Sequence, residues 1–561
     1  IYSGANDYAG KYVKLLTNDI VIDNSAHYGT ASGTVPLNFS TTCTPNNNSN
    51  DSKNATSNLG YNFAGNISQG SSKVEKIYFG TSKNLSAKTP SFKGHFDGNG
   101  HTIEIRYTSG GHHRISVFPN ASNATFQNLT IKGSIKAGTN KDNSGYDIAA
   151  FVGKPFGAIT FENCTAAVDI QGLRVIAGFA GCSTKNAPIT FIGCVNKGDI
   201  HSFEWSTWTR GGTQTLGNQY DYAYGTGGFV AYASSNINFE SCLNTGDITG
   251  GSKIGGLVGR VTNENKNKTI LTINNCANMG RIYSEEYNPY NADNETNKSG
   301  NVWSKAGGLV GEVDYYTEMS MYASYNTGEV RAIGNVAGGL VGIIGTIPGG
   351  DSDNKAGYTE TQYYSTIAYC YNTGEVKVGN VEWGGITMYV PDQIGGSGVN
   401  FNGSNAGGII GTTGGVKVSY CYNAGKITGL GGVGYITTWQ ARNGGIIGEL
   451  TSHNNSNVGS VKNIGYAYVR NCYNVGVIEL KESKKSATRY SADIIGYIQG
   501  NAGDHSEIKN CYGVANNIIN YTDGKGNPAY YSGVNKAGGG DNTSYVAGIT
   551  LNSRSDLTAI M

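Results

Sequence analysis

One short pattern constrains this chain more than any other: a cysteine, an asparagine two residues later and a glycine two residues after that, written repeatedly. It reads CVNKGDI from Cys194, CLNTGDI from Cys242, CANMGRI from Cys276, SYNTGEV from Ser324, CYNTGEV from Cys370, CYNAGKI from Cys421 and CYNVGVI from Cys472. A degenerate CTAAVDI at Cys164 precedes the series and CYGVANN at Cys511 closes it. A second pattern alternates with the first: AFVG ending at Gly153, AGFAG at Gly181, GGFVA at Ala231, GGLVG at Gly259, Gly311 and Gly342, GGIIG at Gly411 and Gly448, and DIIG at Gly496. Three residues before each cysteine stands an apolar residue: Phe161, Phe191, Phe239, Ile273, Met321, Ile367, Val418, Val469 and Ile508. Self-similarity of this kind is the mark of a repeat architecture.

No stretch sustains a helical period. Short β-branched and aromatic runs bounded by glycine read as strands, so one repeat is expected to be three short strands with glycine-marked corners. Such a unit cannot bury its apolar side alone, and stacking copies makes a continuous core. Parallel stacking at roughly 4.8 Å per rung, over nine recognisable rungs and a few more, gives a rod on the order of 50–60 Å. The expected fold is all-β, a parallel solenoid of about 10–13 rungs. It forms one domain over residues 1–515 (first rungs about 10–150, repeats about 149–515), with residues 516–561 as a C-terminal cap or inter-subunit strand.

Alternation of strand side chains places the cysteine of CYN inward, the tyrosine outward and the asparagine inward. Cys164, Cys194, Cys242, Cys276, Ser324, Cys370, Cys421, Cys472 and Cys511 then form a column of small buried residues. Asn196, Asn244, Asn278, Asn326, Asn372, Asn423 and Asn474 form an amide ladder. The glycine two residues on is expected to turn a corner that needs positive φ.

The GGLVG and GGIIG elements resemble the GLUG motif of bacterial surface proteins. The stretches YVKLLTNDIVID, FKGHFDGNGHTI from Phe92, ISVFPNA and ATFQNLTIKGSI are similar to the opening rungs of pectate-lyase-like, right-handed parallel β-helices. The resemblance covers roughly residues 10–515. It implies the handedness and the fold. It leaves activity open, since such solenoids serve as adhesins, as stalks and as carbohydrate-active enzymes.

Composition excludes several classes. With a formal net charge of +1 over 561 residues and 14% charged residues, there is no electrostatic footprint for nucleic acid. No apolar run is long enough to span a bilayer. The 84 glycines follow no G-X-Y period, so collagen is excluded. Low charge with abundant Asn, Ser, Thr, Gly and 38 tyrosines points to an extracellular or cell-surface protein. A start at Ile1 is read as processing. Sequons such as Asn54, Asn66, Asn128 and Asn267 are expected by chance in a chain of this composition.

Tested against specific chemistries, the residues offer little. There is no C-x-x-C pair, and ladder cysteines fall one per rung, so no four ligands converge on zinc. No metal or cofactor is expected. In-register stacking points neighbouring Cβ atoms in parallel, which favours free thiols over disulfides; only Cys43 and Cys182 stand off the column as a possible bridge. None of the eight histidines sits in H-E-x-x-H. Asp97 in FDGNGH resembles the structural opening rung rather than a catalytic pair, and His95, His101, His112 and His113 near it read as surface or corner histidines. Asp199, Asp247, Glu329 and Glu375 form an outward acidic row read as solvated.

Repeat lengths vary from about 30 to 51 residues, and most of the extra length lies between the GDI-type strand and the next GG motif. All five tryptophans fall there, Trp205, Trp208, Trp303, Trp383 and Trp439, with Tyr220, Tyr222, Tyr224, Tyr287, Tyr290 and Tyr389. Equivalent insertions emerge on one side of a solenoid, so an aromatic flank is expected, either packing locally or recognising glycans, surface proteins or further copies of the chain. The polar segment 36–75 is expected to be an insertion without regular structure. The favoured reading is a structural or adhesive β-helix, plausible as a fibre subunit and not an enzyme; the alternative is a carbohydrate-active β-helix enzyme with carboxylates facing the Trp-bearing loops.

Overall fold

The structure is a computed structural model. It describes residues 11–15, 20–23, 44–45, 60–64, 76–82, 91–109, 114–137, 147–172, 175–202, 225–262, 269–284, 304–314, 317–332, 336–345, 365–378, 382–383, 386–387, 404–430, 440–451, 466–481, 488–498, 507–513, 518–520, 534–536 and 546–547. These fall in two compact units, Ile1–Gly250 with Leu257–Gly259, and Gly251–Gly256 with Arg260–Met561. Each is a parallel β-helix, and no helix occurs among the described residues.

One coil of the second unit runs through strands Thr317–Tyr322, Tyr325–Asn326, Val330–Ala332, Val336–Gly338 and Val341–Ile344. Every strand pairs in parallel with its equivalent one repeat later: Met321 with Ile367, Asn326 with Asn372, Val330 with Val376, Gly338 with Gly407 and Val341 with Ile410. The first unit repeats the scheme, with Phe161 opposite Phe191, Ala166 opposite Asn196, Ile170 opposite Ile200 and Val152 opposite Ala180. The sequence leads one to expect three strands per repeat; the coil has five, laid on four faces. The GG pair is itself a corner: one strand ends at its first glycine, Gly338, and the next begins at Val341.

The apolar residue three before the cysteine is buried in every repeat. In the first unit this column is phenylalanine. Phe126, Phe161, Phe191 and Phe239 stack with centroids 5.3, 5.0 and 4.9 Å apart. A second column, Phe151, Phe179 and Phe229, stacks at 4.9 and 4.7 Å and meets the first edge to face. Such pairs contribute about 0.5–1.5 kcal/mol each beyond area burial. In the second unit Ile273, Met321, Ile367, Val418 and Val469 take the first column.

The amide ladder is present. Asn278 Nδ2 donates to Asn326 Oδ1 at 2.7 Å, Asn326 to Asn372, Asn372 to Asn423 and Asn423 to Asn474 at 2.8 Å each. Asn196 and Asn244 make the same bond at 2.7 Å in the first unit. Each amide also donates to the carbonyl two residues on, as Asn326 does to Gly328 at 2.8 Å.

The glycine of this motif is needed for a reason other than the one expected. Among the described residues, glycines with positive φ are Gly100, Gly133, Gly193 and Gly345, none of them in the N-x-G column. The cause is close approach: a Cβ on Gly328 would lie 1.9 Å from the Gly280 carbonyl oxygen. The second glycine of the GG motif has a related cause. A Cβ on Gly308 would lie 2.1 Å from Gly339 O and 2.5 Å from Asn326 Cγ. The two repeat motifs therefore interlock, since the ladder amide of each coil lies against the backbone of the preceding GG.

Two expectations about the irregular segments are refined. Within 36–75, strands Thr44–Pro45 and Gly60–Ala64 pair antiparallel, and Gly60–Ala64 pairs antiparallel with Lys76–Ser82. After Cys511, strands Ile518–Asn520, Val534–Lys536 and Val546–Ala547 pair in parallel with the preceding coil. The described parts of the tail thus continue the winding.

Candidate recognition surface

The aromatic flank expected from the sequence lies almost wholly outside the described residues: Trp205, Trp208, Tyr220, Tyr222, Tyr287, Tyr290, Trp303, Tyr389 and Trp439. Trp383 belongs to a two-residue strand, Glu382–Trp383, paired antiparallel with Ile386–Thr387.

The cysteine column is buried throughout, and its thiols are free. Cys182 is also buried and in no disulfide, while Cys43 lies outside the described residues. Burial, followed by neighbouring Cys421, pushes the Cys370 thiol far above its ordinary range. Each column member bonds the carbonyl two residues before it, as Cys370 Sγ does to Ala368 O at 3.1 Å. Ser324 fits because its hydroxyl repeats that contact at 2.8 Å to Tyr322 O.

The residue immediately before the cysteine carries the backbone strain of each coil. It adopts the left-handed conformation at Asn163, Gly193, Ser241, Asn275, Ala323, Tyr369, Tyr420, Asn471 and Asn510. Asn and Gly are suited to this region, whereas a bulky side chain costs about 1–2 kcal/mol there. Tyr369 (φ 55°) and Tyr420 (φ 54°) accept that cost and remain 51% exposed. Their rings stack at 4.8 Å and 5°. Tyr322, 49% exposed, meets Tyr369 at 5.2 Å.

A second tyrosine column runs beside it, one residue after the cysteine. Tyr325, Tyr371, Tyr422 and Tyr473 stack with centroids 4.8, 4.9 and 5.0 Å apart and interplanar angles of 0°, 5° and 2°. Tyr512 follows in register with Tyr473. Burial raises the phenol pKa of Tyr371, Tyr422 and Tyr473, assisted at Tyr371 by Tyr325 and at Tyr422 by Tyr473 and Tyr371. The second unit thus presents a strip of two tyrosine columns flanking the cysteine corner. The outward tyrosine of CYN was legible from alternation. The column before the cysteine was missed, and its signal is Tyr where sibling repeats carry Asn, Gly, Ser or Ala.

Charged groups cluster elsewhere. Residues on either side of the GG corner, seven apart, face each other. Lys305 Nζ lies 3.0 Å from Glu312, and Lys253 Nζ lies 3.8 Å from the same carboxylate. Arg260 holds Asp314 at 3.0 Å. Burial alone would raise the Glu312 pKa, but Lys305, Lys253 and Arg260 outweigh it and hold the group well below the carboxylate range. Glu449 is bound by Arg442 and Asn405, and Asp147 by Lys154 at 3.8 Å.

The acidic row is engaged rather than merely solvated. Asp199 Oδ1 accepts from the Asp247 N–H at 2.9 Å, and Lys377 lies 3.0 Å from Glu329 and 2.9 Å from Glu375. Asp97 ends strand Gly94–Asp97 and is buried. It accepts from Tyr12 and, at 2.8 Å, from the Asn99 N–H. Burial opposes its ionisation, but hydrogen bonds from Tyr12, Asn99, Gln127 and Asn128 prevail and hold its pKa at about 2. His95 packs against Tyr12 with ring centroids 4.5 Å apart, tilted by 34°. Among the described residues, no group of three or more His, Cys, Asp or Glu is placed to hold a metal ion.

Comparisons with protein-family models, with curated proteins and with solved structures find no match to this chain.

Proposed function

We propose that the chain is an extracellular structural or adhesive β-solenoid of the GLUG-repeat kind, whose backbone ladders fix the spacing of a recognition surface. The observation carrying this reading is the tyrosine strip: aromatic side chains held exposed at left-handed positions where Asn or Gly would relieve the backbone. Tyrosine gives large contact area with a polar end, which suits recognition surfaces. The functional surface on this reading is the strip, together with the Trp-bearing segments, and its partners are further copies of the chain or surface glycans and proteins.

The test combines electron microscopy of the full chain with a glycan array and a polysaccharide panel assayed for new reducing ends. Filaments, lateral pairs or glycan capture are expected. Depolymerisation of a polysaccharide would instead establish the carbohydrate-active enzyme.

A further inference from the structure

We propose that the tyrosine strip of the second unit is a lateral contact between two copies of this chain. The inference rests on the structural or adhesive reading above and specifies its partner. In the second column the ring faces are already taken, because consecutive rings stack at 4.8–5.0 Å with planes within 5°; in the first, Tyr369 and Tyr420 stack at 4.8 Å and Tyr322 covers the other side of Tyr369 at 60°. A sugar ring stacks on a free aromatic face, and these columns leave free faces only at their ends. What they present along their length is ring edges and phenol hydroxyls, recurring once per coil.

A partner that meets every hydroxyl must carry complementary groups at the same pitch. A second strip does so by construction. Each phenol is both donor and acceptor, so hydroxyls of one strip pair with hydroxyls of the other, and ring edges meet phenol oxygens. The contact is therefore self-complementary, as a two-fold interface requires.

The size is also appropriate. Half-exposed Tyr322, Tyr369 and Tyr420 with the partly exposed second column offer on the order of 600 Å², most of the roughly 800 Å² each partner contributes to a stable interface. No charged residue stands directly before or after the cysteine in these coils, and Arg470, in register with Tyr322, is paired with Glu507 at 2.6 Å. The backbone strain at Tyr369 and Tyr420 also favours a contact, because Asn275 and Asn471 show that the same fold is built without it.

The test is sedimentation of the full chain over a wide concentration range, comparing wild type with Tyr369→Asn/Tyr420→Asn. The substituted residue is the one this backbone position prefers, so the thermal midpoint should be retained or raised. Self-association should weaken at least roughly tenfold. Ile192→Ser, an exposed apolar change in the first unit, should leave association as in wild type. If wild type associates and the double variant associates equally, the strip is not the contact, although a self-associating role stands. If wild type is monomeric but captures a glycan that the variant loses, the lateral contact is overturned and the adhesive reading stands. A monomer without either behaviour overturns both.

Discussion

Asp493 and Gly513 have exchanged roles. In the coils before them, glycine stands at the second GG position and asparagine in the ladder, as Gly445 and Asn474 do. In the coil of Asp493 and Gly513, the acid occupies the glycine position and the glycine occupies the ladder position. A Cβ on Gly513 would lie 2.3 Å from Asp493 Cγ, so the carboxylate fills the place of the missing amide. Asp493 Oδ1 then accepts from Asn474 Nδ2 at 3.2 Å, ending the amide chain.

The exchange predicts strong coupling. Asp493→Gly removes the ladder's last acceptor and should cost about 1–3 kcal/mol. Gly513→Asn alone forces two side chains into one space and should cost a similar amount. The double variant restores the ordinary arrangement and should recover most of the loss, with a coupling of about 0.5–3 kcal/mol. Urea denaturation of the four proteins measures it; additive losses would contradict the exchange.

Burial pushes Asp493 up to about 7 against the lowering effect of the Asn474 bond. Unfolded, an aspartate titrates near ~3.9. The folded state therefore holds the proton more tightly, and the stability this confers is complete below a pH of about 4. It declines as pH rises towards 7 and levels off above, once both states are ionised. Asp493→Asn should flatten this slope. An unchanged urea midpoint between pH 4.5 and 8 in wild type, relative to the variant, would refute the assignment.

The Glu312 cluster yields a sign test. Glu312→Gln leaves Lys253 and Lys305 buried beside an uncharged amide and should cost about 3–5 kcal/mol. The next repeat carries Val336 and Ile343 at the equivalent positions. Lys253→Val/Lys305→Val/Glu312→Ile should therefore lie near wild type, with Arg260 retained by Asp314. Thermal melts compare them, and a triple variant weaker than Glu312→Gln would show the charges to be favourable in net terms.

The cysteine column should tolerate serine but not size. Cys370→Ser places a hydroxyl where Ser324 already shows one bonding the backbone, at an expected cost within about 1.5 kcal/mol. Cys370→Leu overpacks the column, at about 1–3 kcal/mol. In the native protein the described thiols should resist a disulfide reagent and react on unfolding; rapid native labelling at Cys370 would contradict its burial.

The sequence disclosed those features in which one residue meets its own copy in the next coil. The Phe, Cys and Asn columns are of that kind, because parallel in-register stacking converts a repeated letter into a contact. Features that join different positions were not legible. The Gly308–Asn326 interlock, the Lys305–Glu312 pair and the Asp493–Gly513 exchange each link two faces across a corner. Their geometry depends on how the chain bends at GG, which periodicity does not report. The role of the N-x-G glycine was misread for the same reason: a local turn was expected, and the constraint is the coil beneath. At the surface, alternation announced the outward tyrosines after each cysteine. Only comparison of one column across repeats singles out Tyr369 and Tyr420.

The amide ladder keeps one geometry across unequal stretches of chain. Asn278 to Asn326 spans 48 positions, Asn326 to Asn372 spans 46 and Asn372 to Asn423 spans 51, yet the three bonds measure 2.7, 2.8 and 2.8 Å. Each coil is thus indexed by its side chains rather than metered by its length. A segment between the GDI-type strand and the next GG could be lengthened, shortened or replaced without shifting a core atom. Such a scaffold lets its outer segments diversify at the speed of surface selection while its interior stays fixed.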